Sequence, residues 1–199
     1  MKPTLTTLLI GLIGLLAPSA QAANLTWNGT TSVNWSEANW TGGTPVSSGT
    51  DALTFAGSNN LSNTNNLTDY TASSITFASG AGAFILGGSA ITLSGNVTNS
   101  DGDNQTISLG LELTAGNHTF ATTSGHISVN GTISGDGGIR KTGTGPTLFL
   151  TGTNNSYTGV TEINGGPLSV TKLANGGTNS SIGASSCSAS RKSRGIGGV

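Results

Sequence analysis

The chain has 199 residues, a formal net charge of −1 and 8% charged residues, against about 25% in an ordinary soluble domain. With no basic patch to neutralise phosphates, nucleic acid is excluded as a partner. The single cysteine, Cys187, excludes an internal disulfide, so the fold must rest on backbone hydrogen bonds and an apolar core.

The first element in chain order is not fold material. Met1-Lys2 is a short basic start, residues 8–17 form an apolar run, and Ala20-Gln21-Ala22 is a small-x-small cleavage signature. Together they predict a signal peptide over residues 1–22, cut after Ala22 to leave Ala23 as the mature N-terminus. The apolar run is too short for a bilayer span, which takes roughly 20 residues. Leu16-Ala17-Pro18-Ser19 is followed by no cysteine that would carry a lipid. The expected partner at this end is the Sec export machinery.

Residues 23–70 carry Trp27, Trp35 and Trp40. The leading expectation is an N-terminal cap, with large rings covering the exposed end of the first coil. The competing expectation is a ligand platform on which the same three rings stack against sugars.

Residues 71–186 alternate apolar and polar positions, the period of a half-buried strand. Ile91, Ile107, Ile127, Leu148 and Leu168 open similar short segments. Their spacing puts the repeat at about 20 residues, a period that signals stacked supersecondary units. A single coil buries too little apolar surface to stand alone, and stacking joins the pieces into one core. Gly and Asn at the corners (Gly87-Gly88, Gly137-Gly138, Asn164-Gly165-Gly166) supply tight turns. The predicted fold is all-β, a right-handed parallel β-helix (β-solenoid) with an N-terminal cap.

The clearest unit is residues 141–170. Leu148-Phe149-Leu150-Thr151-Gly152, then Asn155-Ser156-Tyr157-Thr158-Gly159-Val160-Thr161, then Ile163-Asn164-Gly165-Gly166-Pro167-Leu168-Ser169-Val170 resemble the autotransporter-associated β-strand repeat, also called the passenger-associated transport repeat. The resemblance is close only across this unit. It implies structural roles for Leu148, Leu150, Gly152, Tyr157, Gly159, Ile163, Gly166, Leu168 and Val170. It also implies an exported bacterial protein, at the cell surface or outer membrane or released, that supports passenger secretion and folding. Surface glycans or other cells would then be partners in adhesion. Two departures stand out. Pro146 and Pro167 occupy strand starts, where no ladder N–H is yet needed, and one close copy is present where the family usually has several. The basic tail at 187–199 does not fit the body's composition and reads as a frameshifted or truncated end.

Chemistry-bearing residues are sparse. His118 and His126 lack metal-ligand spacing and are expected to face outward from strands. Asp101-Gly102-Asp103-Asn104 lacks the spacing of a calcium loop and reads as a polar turn. Glu112, Asp136 and Glu162 are isolated, and Arg140-Lys141 stands alone. The sequence therefore assigns no catalytic residue, no cofactor and no metal. It leaves two alternatives to a structural protein: a carbohydrate-binding module on a β-scaffold, and a pectate-lyase-like polysaccharide-degrading enzyme.

Overall fold

The alternation written in the sequence becomes an inside and an outside. In the computed structural model, which describes residues 22–185, Leu25 and Trp27, Leu53 and Phe55, and Ile75 and Phe77 all turn inward while the residues between them face out. The predicted signal residues up to 21, and the tail with Cys187, lie outside the described residues.

Every regular element described is a strand: β1 (Asn24–Trp27), β2 (Trp40–Thr41), β3 (Thr50–Phe55), β4 (Ser62–Asn65), β5 (Thr71–Phe77), β6 (Ile85–Gly88), β7 (Ile91–Asn99), β8 (Gln105–Ile107), β9 (Leu111–Leu113), β10 (Asn117–Thr122), β11 (Ile127–Val129), β12 (Ile133–Gly135), β13 (Gly138–Thr142), β14 (Leu148–Leu150), β15 (Thr161–Ile163) and β16 (Leu168–Val170). They form two sheets. One runs β15-β13-β10-β7-β5-β3-β1-β2, with β9 and β12 branching from β7; the other runs β16-β14-β11-β8-β6-β4. Apart from β1–β2, the named strand pairs are parallel and non-consecutive, so the chain winds as a β-solenoid.

Inside, successive coils stack residues at matching positions, most of them apolar. One ladder runs Leu25, Leu53, Ile75, Val97, Phe120, Lys141, Ile163. The facing sheet contributes Asn63, Leu86, Ile107, Val129, Leu150, Val170. From Leu53 onward the first ladder advances almost evenly, and each coil is slightly longer than the spacing of the sequence repeats suggests.

The difference has a physical source. Ile127, Leu148 and Leu168 do stack directly. Ile107, however, pairs with Val129 rather than with Ile127, and Ile91 pairs with Leu111 in the other sheet. A two-residue slip preserves the inward face, so side-chain pattern alone does not detect it.

Strand β7 bends midway, and its two halves feed β9 and β10. The register shifts between Ala72 and Ser74 of β5, where β7 carries one more residue. Gly95 sits at this bulge, and any Cβ there would collide with the Ser73 carbonyl.

The N-terminal end is closed. The step from Leu25 to Leu53 is longer than the later ones, because the chain between them folds over both sheet edges. β2 pairs antiparallel on β1, and Asn34 bridges Thr64 of β4, flanked by Trp35 N–H to the Thr64 carbonyl at 3.0 Å and Thr64 N–H to the Val33 carbonyl at 2.8 Å. Covering an edge in this way removes its free backbone groups. At the other end, β15 and β16 are the last strands described in their sheets, and Ile163 is 59% exposed.

Candidate functional site

Trp27, Trp35 and Trp40 lie in the interior, at 1%, 0% and 7% exposure. Trp40 packs edge-on against Trp27 (ring centroids 5.0 Å) and Trp35 (5.7 Å), and Phe55 and Tyr70 complete the cluster. Their indole N–H groups are spent inside: Trp27 donates to the Asn59 carbonyl at 3.1 Å, Trp35 to Asn63 Oδ1 at 2.8 Å and Trp40 to the Trp35 carbonyl at 2.9 Å. None of the three presents an open face on which a sugar ring could stack. Among the described residues Asn63 Nδ2 has no partner, a cost carried while Asn63 Oδ1 serves Trp35.

The residues of the repeat-like segment divide between interior and edge. Leu148, Leu150 and Tyr157 are fully buried, with the Tyr157 hydroxyl 2.7 Å from Thr161 Oγ1. Burial pushes the Tyr157 phenol up to about 12, against the opposing effect of the Thr161 hydrogen bond. Gly152 and Gly159 lie where a Cβ would strike Asn155 and Gly137–Gly138 respectively, and Gly166 has φ +63°. Leu168 and Val170 are half-buried, and Ile163, in register with the inward Lys141, is exposed because β15 is the last strand described in its sheet. Asn155 ties three coils: Oδ1 accepts Ile133 N–H at 2.9 Å, and Nδ2 donates to the Ser181 carbonyl at 3.0 Å.

The histidines divide as well. His118 turns inward, contrary to expectation, at 3% exposure, with Nδ1 2.7 Å from the Gly95 carbonyl and Nε2 2.8 Å from the Thr114 carbonyl. Glycine makes the room, because a Cβ on Gly137 would strike the imidazole. His126 stays at the surface, where Nδ1 accepts Thr147 N–H at 2.7 Å. Around it Asn104, Thr106, Ser128, Phe149 and Thr151 line an open groove of ≈ 320 Å³ on the outer face of the second sheet. Phe149 meets His126 edge-on at 5.4 Å. An aromatic ring flanked by hydroxyl and amide groups suits a polyhydroxylated ligand, and the groove lining holds no carboxylate.

The remaining polar residues serve structure. Asp101 is a coil-linking turn, its carboxylate accepting Gly80 N–H and Asp103 N–H, each at 2.8 Å. Glu162 pairs with Arg140 at 2.8 Å. Glu112 and Asp136 are exposed. Among the described residues no group of three His, Cys, Asp or Glu converges as a metal site would require. Sequence reasoning passed over Asp51, which is 6% exposed and faces inward with Leu53 and Phe55; the alternation in Thr50–Phe55 was the available signal.

The fold defines a class, the parallel β-solenoid. Within it, the chain is similar to the adhesin BmaC autotransporter of Brucella suis biovar 1, 39% identical over 125 residues. The match covers 56% of this chain and only 4% of the adhesin. No protein-family model matches the chain, and no solved structure does.

Proposed function

We propose that this chain is an exported, non-enzymatic bacterial β-solenoid, the N-terminal part of an autotransporter-like passenger or surface repeat protein. Its role is to support secretion and folding of the passenger at the cell surface or outer membrane, with adhesion as the downstream activity. The observation that carries the reading is the asymmetry of the rod. Its first coil is covered on both sheets, whereas among the described residues no strand pairs on the outer edges of β15 and β16. Similarity to an autotransporter adhesin supports the same reading. A stack that grows coil by coil gains stability with each neighbour, so folding outside the cell would oppose return.

The test is expression of the full chain, with residues 1–22, in a bacterium with an outer membrane. Processing and appearance outside the inner membrane are expected, followed by protease accessibility on intact cells when the chain is fused to a β-barrel translocator. Retention in the cytoplasm as the unprocessed chain would sink the export reading. Turnover of pectin-type glycans by purified protein would overturn the non-enzymatic reading.

The groove at His126 and Phe149 favours carbohydrate binding as the second reading, in place of the buried tryptophans. Glycan-array binding that is lost on Phe149→Ala, with the β spectrum retained, supports it.

A further inference from the structure

Asp51 stands at the top of an inward ladder that continues as Ala72, Leu93 and Leu113. The positions below it are apolar and buried. Its carboxylate accepts two hydrogen bonds: Oδ1 from the Ala23 backbone nitrogen at 2.9 Å, and Oδ2 from the Tyr70 hydroxyl, also at 2.9 Å. Burial and the neighbouring Asp51 both raise the Tyr70 phenol above its ordinary range, so Tyr70 remains a neutral donor. Among the described residues no Lys or Arg pairs with Asp51: Arg140 is held by Glu162 and Lys141 by backbone carbonyls. An interior carboxylate with only neutral donors is costly, and charged partners normally accompany it.

Ala23 is also the residue expected to become the first of the mature chain. We propose that Asp51 is the receptor site for the α-ammonium group released at Ala23 by signal-peptide cleavage, an inference that rests on the export reading above. Hydrolysis adds water across the Ala22–Ala23 amide: the C–N bond breaks, hydroxyl goes to the Ala22 carbonyl carbon and hydrogen to the Ala23 nitrogen. The proton lost by the new carboxyl group is balanced by the one the amine takes up, giving carboxylate and –NH3+. The Ala23 nitrogen thus changes from a neutral donor into a cation while already 2.9 Å from Asp51 Oδ1. The missing countercharge arrives without rearrangement. Because the Ala23 carbonyl accepts Ala52 N–H at 2.8 Å and β1 pairs with β3, the ion pair fastens the first strand to the stack. The precursor lacks this charge, so its first coil is held more weakly until export is complete.

The test compares full mature chains beginning at Ala23 with chains that retain Ala22, each carrying Asp51 or Asp51→Asn. With Asp51, retaining Ala22 is expected to reduce the folded-to-unfolded ratio about tenfold, the scale of a hydrogen bond to a charged group. With Asp51→Asn the two chains should unfold together. Acetylating Ala23 keeps its N–H but removes the charge, and should reproduce the loss with Asp51 intact, which keeps the test decisive even where Asp51→Asn fails to fold. The Ala23 amine should titrate above the ordinary α-amino range of about 7.7–8.0 in NMR of chain labelled at Ala23. Equal denaturation midpoints for free, extended and acetylated chains would overturn the pairing. N-terminal sequencing of exported protein should begin at Ala23; a different first residue overturns the assignment. Cytoplasmic retention instead removes the export reading, while the comparison of purified chains tests Asp51 directly.

Discussion

Lys141 stacks on Phe120 inside the solenoid, in register across β10 and β13, at a ladder position that earlier coils give to Leu53, Ile75 and Val97. It is fully buried. Its ammonium donates to the Thr142, Gly143 and Gly165 carbonyls at 2.7, 3.1 and 3.0 Å, so the stem fills the core while the head joins one coil to the next.

Lys141→Met keeps the stem and deletes the three donors. The expected cost is about 1–3 kcal/mol in urea unfolding, the penalty of leaving buried acceptors unmade. Burial lowers the Lys141 pKa from its ordinary value. Between the lowered value and the ordinary lysine value of about 10.4, the unfolded chain binds more protons than the folded one. Stability of the native sequence should therefore rise with pH across that window. The Lys141→Met chain should lack this rise, which equilibrium unfolding at a series of pH values will show.

Tyr157 gives the opposite sign. Its folded-state pKa is raised to about 12 from 10.0, so its contribution is fully present below pH 10 and is lost as pH rises toward 12. Tyr157→Phe should lessen that alkaline loss. At neutral pH it should cost about 0.5–1.5 kcal/mol through the hydrogen bond to Thr161. Tyrosinate absorbance followed alongside unfolding separates the two effects.

The tryptophan cluster predicts spectroscopy as well as stability. With all three rings buried, native fluorescence should be blue-shifted and poorly quenched by iodide. Trp35→Ala should destabilise by about 3–5 kcal/mol, as large core truncations do. Native emission at the wavelength of the unfolded chain would contradict the packing.

Two glycines should behave differently. Gly95→Ala drives a Cβ into the Ser73 carbonyl at the β7 bulge and should cost about 1–3 kcal/mol. At Gly87 the nearest atom to a new Cβ is the Asn63 carbonyl oxygen at 3.6 Å, an ordinary contact, so Gly87→Ala should leave the midpoint nearly unchanged. Chemical denaturation of both variants distinguishes close approach from general glycine loss.

Much of the rod was legible in the chain. The stacking of Ile127, Leu148 and Leu168 and the polar turn at Asp101 follow from alternation and turn chemistry. The placement of His118 was not legible, because the room for its ring comes from Gly137, distant in sequence and adjacent only across coils. The groove at Phe149 was equally hidden. Asn104, His126 and Phe149 lie in three successive coils, and only their stacking brings them to one patch.

By itself the sequence determined the strand alternation, the inward face of most apolar positions, the approximate length of the repeat and the low charge that leaves backbone ladders to hold the fold. A period-2 pattern specifies a face, because each residue turns opposite to its neighbours. It does not specify which sheet a segment joins, nor its register to within two positions along the strand. Those choices were made by the tertiary structure, which moved Ile91 to a different sheet from Leu148 and set the true length of the coil. The same stacking decided which polar groups lie inside, since Asp51, His118 and Lys141 are buried only where carbonyls, amides or hydroxyls of other coils meet them.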